Sequence, residues 1–145
     1  MEGLITEKLS RLREYLKYLR ALKDISLESF ISDFKARGAA ERYLQLSIES
    51  VIDIGNEIIS SLQLRRPERY REIPRILADA EIIPSEFAER IAQMIGFRNI
   101  LVHDYAVINK ALEHEFLQTR LSDFESYMKH LADWLKKSRL TVIEV

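Results

Sequence analysis

The chain has 145 residues, 47% of them hydrophobic and 31% charged, with 22 basic against 23 acidic side chains for a net charge of −1. One domain of this length buries roughly two-thirds of its unfolded surface, and the near-zero charge excludes a general nucleic-acid coat, which needs clustered Lys and Arg. Cysteine is absent, so there is no disulfide framework and no thiolate metal site, which suits a reducing cytoplasm. No apolar run reaches the ~20 residues of a membrane span, and Glu2 and Glu7 interrupt any secretory signal.

Only four Gly and three Pro are present, which favours helices. The first helix shows apolar residues at Ile5, Leu9, Leu12, Leu16 and Leu19, in steps of four and three, and ends near Ile25. Ser26 offers a cap for a short stretch, Leu27–Phe34. A second helix runs from about Ala36 to Leu62, with Leu44, Ile48, Val51, Ile52, Ile58 and Ile59 as its stripe. Gly55 inside it costs ~1 kcal/mol against alanine, which points to close approach of another helix. Leu64–Tyr70 is a loop punctuated by Pro67, and a short helix follows near Pro74–Ala80. A fourth helix opens at Pro84 and Glu86 and carries Phe87, Ile91, Met94, Ile95, Leu101 and Val102. After Tyr105 the chain turns, and a fifth helix spans about Asn109–Lys137. The tail, from 138 to 145, is β-like in composition over Leu140–Val145. The expected fold is all-α: one domain over 1–145, an antiparallel up-and-down bundle of about five helices. Apolar surface left over suggests a homodimer.

The segment Arg98-Asn99-Ile100-Leu101-Val102-His103-Asp104-Tyr105 places a guanidinium, a carboxamide, an imidazole and a phenol in an otherwise apolar helix. Charged groups on an apolar surface are costly unless paired or used. At about 100° per residue, Asn99 and His103 share a face, whereas Arg98 and His103 lie roughly 140° apart. Histidine can take and give a proton near neutrality, and arginine offers a fork suited to phosphate. The pair suits RNA cleavage by its own 2′-hydroxyl, without metal or cofactor. One His per chain is thin for separate acid and base roles, and a two-fold dimer would supply two. The bland alternative has Arg98 paired with Asp104 or an acid on another helix, His103 capping a helix end and Tyr105 packing.

Other chemistry is absent. Ile100, Ala111 and Tyr127 stand three residues before the three histidines, so a bundle di-iron site is excluded; there is no H-E-x-x-H zinc helix, P-loop or dinucleotide fingerprint. His114, between Glu113 and Glu115, reads as a surface histidine, and so does His130 after Lys129. On the second helix, Asp53 and Asn56 are candidate cleft residues. Arg65, Arg66, Arg69, Arg71 and Arg75 are a candidate RNA-binding patch, although a solvated face is the commoner meaning of such a run.

The motif resembles the R-x4-H-x-Y signature of HEPN-superfamily ribonuclease toxins, and more specifically the HepT-like toxins. Flanking text is similar as well: Glu41-Arg42-Tyr43-Leu44-Gln45, Ile48-Glu49, Asp53-Ile54, Tyr70-Arg71-Glu72 and Gly96-Phe97, covering roughly Leu4 to Lys136. The resemblance implies a homodimeric all-α bundle with metal-independent endoribonuclease activity on RNA. It implies restraint by an MntA-like nucleotidyltransferase antitoxin that adenylylates the motif tyrosine, here Tyr105. By the same carry-over His103 is the general acid/base, Arg98 holds the scissile phosphate and Asn99 helps to position it. The other reading is a non-catalytic helical subunit that binds a nucleotidyltransferase.

Overall fold

The computed structural model describes the backbone of residues 1–102 and 107–144 and the side chains of residues 1–102 and 109–138. Among these residues there are seven α-helices and one 3-10 turn, and no strand. They are α1 (Glu2–Leu22), α2 (Leu27–Ser32), α3 (Phe34–Ser61), the 3-10 turn Tyr70–Glu72, α4 (Ile73–Asp79), α5 (Ser85–Val102), α6 (Val107–Thr119) and α7 (Leu121–Glu144). No helix among them is long and apolar enough to cross a membrane.

Seven helices replace the expected five. The short stretch after Ser26 is a true helix, because the Ser26 hydroxyl accepts from Ser29 N–H at 3.1 Å. Asp33 then ends it and caps α3, accepting from Lys35 and Ala36 N–H, each at 3.1 Å. The expected fifth helix is two, broken at Arg120. Thr119 Oγ1 donates back to its own helix at Glu115 O (2.8 Å), and the Arg120 guanidinium turns to Asp123 (2.6 Å). Leu117, Leu121 and Phe124 keep four-three spacing across the break, which is why periodicity did not reveal it. The tail, β-like only in composition, continues α7 as helix to Glu144.

The stripes on α1, α3, α5, α6 and α7 meet in one core, with Ile5, Leu12, Leu16, Leu44, Ile48, Ile58, Leu117 and Phe124 fully buried. Along α1, packing is mainly against α3; α5 contacts α3, α4, α6 and α7. The pairs Phe87–His130, Arg90–Asp123 and Phe97–Phe116 run in opposite order along the chain, so α5 is antiparallel to α6 and α7. Asp123 fixes that junction: buried, it accepts from Arg90 Nε at 2.9 Å as well as from Arg120. Its pairing holds the Arg90 guanidinium above its ordinary range.

Gly55 is where α3 admits close neighbours. A β-carbon there would collide with Ile73 Cγ2 and stand 3.3 Å from the Tyr127 hydroxyl. That hydroxyl, fully buried, donates to Val51 O at 3.1 Å, and burial pushes the phenol far above its usual range. Two helices end without glycine. Gln63 (φ 54°) and Glu81 (φ 61°) take left-handed conformations, closed by Leu64 N–H to Ile59 O and Ile82 N–H to Leu77 O, both 2.9 Å.

Two histidine readings change. His114 is buried, with Nε2 donating to Ile25 O at 2.6 Å and its ring 5.5 Å from that of Phe30. Its acidic neighbours suggested a wet face, yet Glu113 is itself buried on the inner side of α6. His130 is half-buried against Phe87, with ring centroids 5.1 Å apart.

Candidate active site

Helix α3 supplies the floor. Its inner face buries Ile48, Val51, Ile52, Ile58 and Ile59, which leaves Glu49, Asp53, Asn56 and Ser60, in steps of four, three and four, on one outward face. The end of α5 brings Arg98 over this face, and the 3-10 turn brings Tyr70 beside it. Arg98, Tyr70, Glu49, Ile52 and Asp53 line an open hollow of about 190 Å³.

Arg98 Nη2 lies 3.7 Å from Glu49 Oε1, with the two side chains 37% and 34% exposed. The separation is an ion pair but too long for a hydrogen bond, and such half-exposed pairs are worth about 1 kcal/mol or less. The guanidinium carbon stands 5.9 Å from the Tyr70 ring centre, within cation–π range. Arg98 Nε is buried and makes no hydrogen bond. A guanidinium carries five N–H donors, and among the described residues no hydrogen bond occupies the terminal Nη donors of this fork. The acid on another helix, foreseen in the bland reading, is therefore present as Glu49 without locking the arginine.

Asn99 is exposed, one residue beyond Arg98. His103, Asp104 and Tyr105 lie outside the described residues. Asp53 shares the hollow of Arg98, whereas Asn56 lines a neighbouring hollow of about 580 Å³ with Ser60, Arg66, Arg69 and Tyr70. The five arginines do not form one patch. Arg66 and Arg69 edge the larger hollow. Arg71 lays its guanidinium against Gly96 of α5, 3.5 Å from where a β-carbon would stand. Arg65 pairs with Glu72 at 3.0 Å and edges a separate hollow with Ile76 and Asp79; Arg75 donates to Ser85 Oγ at 2.9 Å. Neighbouring arginines of this loop therefore face different surroundings.

Glu72 organises this loop. Its carboxylate accepts from Arg65, from Glu68 N–H at 3.1 Å and from Arg69 N–H at 2.8 Å. The Arg65 bond and then these amides hold it below the usual carboxylate range. Sequence reasoning missed Glu49 and Tyr70 as site residues. The spacing of Glu49, Asp53 and Asn56 marks their common face; no sequence signal places Tyr70, which reaches the site through a loop.

A helical bundle that sets an under-used arginine in an open groove, five residues before a histidine in sequence, defines a class: a HEPN-type helical nuclease. The chain belongs to the ribonuclease HepT-like family, whose model matches residues 5–131. It is a ribonuclease of the toxin–antitoxin kind. It is 30% identical to the tRNA nuclease HepT of Aphanizomenon flos-aquae, over 91% of this chain and 90% of that one. It is 29% identical to the mRNA nuclease HepT of Shewanella oneidensis, over 88% and 96%. Among solved structures it resembles the tri-AMPylated Shewanella oneidensis HEPN toxin in complex with MNT antitoxin. There the TM-score is 0.82 at 29% identity, covering 92% of this chain and 99% of that one. A toxin–antitoxin complex with AMP-PNP gives 0.81 at 27%, over 90% and 98%.

Proposed function

We propose that this chain is a metal-independent endoribonuclease whose reaction is centred on Arg98 and His103. The observation that carries the reading is the Arg98 fork: half-exposed at an open hollow, with Glu49, its ion-pair partner among the described residues, beyond hydrogen-bonding distance. A phosphodiester supplies the acceptors such a fork lacks.

In this mechanism a base takes the proton of the 2′-hydroxyl, and the 2′-oxygen attacks the adjacent phosphorus. The bond from phosphorus to the 5′-oxygen breaks, and an acid protonates that leaving oxygen. The products are a 2′,3′-cyclic phosphate and a 5′-hydroxyl. His103 serves as acid or base, Arg98 stabilises charge on the non-bridging oxygens, and Asn99 helps to seat the phosphate. A homodimer supplies a second imidazole, so that one histidine accepts while the other donates.

Regulation follows from Tyr105, two residues beyond His103. Transfer of AMP from ATP to its phenol by an MntA-like nucleotidyltransferase antitoxin, with loss of the phenol proton and pyrophosphate as the leaving group, adds a bulky anionic phosphodiester that repels RNA phosphate and competes for Arg98. That the Shewanella relative is described as tri-AMPylated and in complex with its antitoxin supports this reading.

The test is cleavage of total RNA by purified protein in EDTA. Arg98→Ala and His103→Ala should each lower the rate at least 100-fold, with the circular dichroism of a folded helical protein retained. Undiminished cleavage by both variants, or complete dependence on a divalent metal, would overturn the assignment.

A further inference from the structure

The hollow around Arg98 contains two carboxylates, Glu49 and Asp53, against one guanidinium. Taken alone it is net negative, a poor resting place for an RNA strand. Compensating charge lies across Tyr70. That residue is 52% exposed and lines both the Arg98 hollow and the larger one edged by Arg66 and Arg69. Among the described residues neither of those arginines forms an ion pair, and Glu68 is the single acid lining that hollow.

We propose that Tyr70 is a base-stacking platform dividing the substrate groove, and that the hollow of Arg66, Arg69 and Asn56 is the subsite for the nucleotide adjoining the scissile phosphate. Three features argue for it together. The Tyr70 ring is a large, half-exposed aromatic surface standing between the two hollows, with Arg98 on its near side. Single-stranded nucleic acids are held by such rings alternating with cations along a groove. The loop backbone is also preorganised: Glu72 ties it down at Glu68 and Arg69, so that stretch does not have to be ordered by the substrate. Finally, the lengths agree. From Asp53 to Ser60 the α3 face extends roughly 10 Å at 1.5 Å per residue, room for about three stacked nucleotides at 3.4 Å each. Asn56 and Ser60 sit along that floor as hydrogen-bonding groups for a sugar or base edge.

The proposal rests on Arg98 as the holder of the scissile phosphate, and its test separates the two. Steady-state cleavage is measured on a short labelled oligoribonucleotide spanning a site mapped in total RNA, and on the same strand with an abasic residue next to the cut. Tyr70→Ala should raise KM roughly 5- to 100-fold, with kcat within about threefold, while Tyr70→Phe stays within about twofold of wild type. On the abasic strand the Tyr70→Ala penalty should vanish, which no merely structural role of the side chain predicts. Arg66→Ala combined with Arg69→Ala should raise KM about tenfold, by an amount that shrinks as salt is added. Wild-type KM in Tyr70→Ala, or an equal penalty on intact and abasic strands, overturns the stacking subsite. Undiminished cleavage by Arg98→Ala would instead overturn the reading beneath it.

Discussion

Arg98 and Glu49 face one another at 3.7 Å, and that separation decides what the carboxylate does. A positioning partner would sit within hydrogen-bonding distance and fix the fork in one orientation. Glu49 instead supplies negative charge near a guanidinium that retains a buried donor without a partner. An incoming phosphate therefore meets attraction and repulsion at nearly the same place. Two unit charges 4 Å apart interact by about 1 kcal/mol in water and more in a partly screened groove, so the repulsion is of the order of one or two factors of ten at most. Glu49→Gln should lower KM for RNA about 3- to 10-fold, leave kcat within about twofold and shift stability by no more than about 0.5 kcal/mol. Steady-state cleavage beside a urea unfolding curve checks both halves. A fall in kcat with no gain in KM would mean that the carboxylate holds the fork after all.

At the scale of elements, one charged group gathers the segment between α3 and α4. The Glu72 carboxylate accepts from Arg65 and from two backbone amides, Glu68 and Arg69, and these bonds lower its pKa. A depressed carboxylate contributes order above its unfolded pKa and loses it as pH falls through the lower folded value. Protection of the Glu68 and Arg69 amides from hydrogen exchange, corrected for intrinsic rate, should thus be flat from pH 7 to about pH 5 and collapse only below about pH 4. Glu72→Ala should remove it at every pH. Protection that persists in that variant would show the loop to be held by something else. The same loop marks the limit of what patterning reveals. The α1, α3 and α5 stripes and the Ser26 cap were legible because burial and capping leave periodic or local marks. The Arg120 break was not, because the apolar period runs through it; nor were the left-handed stops at Gln63 and Glu81, which carry no glycine. For the site, Arg98 stood out by its chemistry and Asp53 by its face. Glu49 and Tyr70 join them only once α3, α5 and the loop are assembled. The arginine run reads as one patch in sequence, yet its members make separate contacts with Glu72, Gly96 and Ser85 or edge the larger hollow.

For the whole molecule, a net charge of −1 means that no global field gathers RNA. Attraction must come from the few cations that reach the groove. Arg98, Arg66 and Arg69 line its two hollows, and Arg71 lies on the adjoining α5 surface at Gly96. Arg65 and Arg75 are engaged with Glu72 and Ser85. Each phosphate neutralised on a single strand contributes about −0.7 to the slope of log affinity against log salt. Three or four contacts therefore predict a slope between about −2 and −3 per site, measured by fluorescence anisotropy of a labelled single strand on the His103→Ala protein. A basic-coat mode, in which all five loop arginines and surface lysines bind phosphate, would give a slope steeper than about −5. A slope near zero would mean that stacking alone holds the strand. Arg66→Ala with Arg69→Ala should reduce the steepness by about 1.4, whereas Arg75→Ala should leave it unchanged, because that guanidinium is spent on α5 and lies outside both hollows. An equal loss from Arg75→Ala would show that the strand runs over the other side of the loop, and the groove along α3 would no longer be its path.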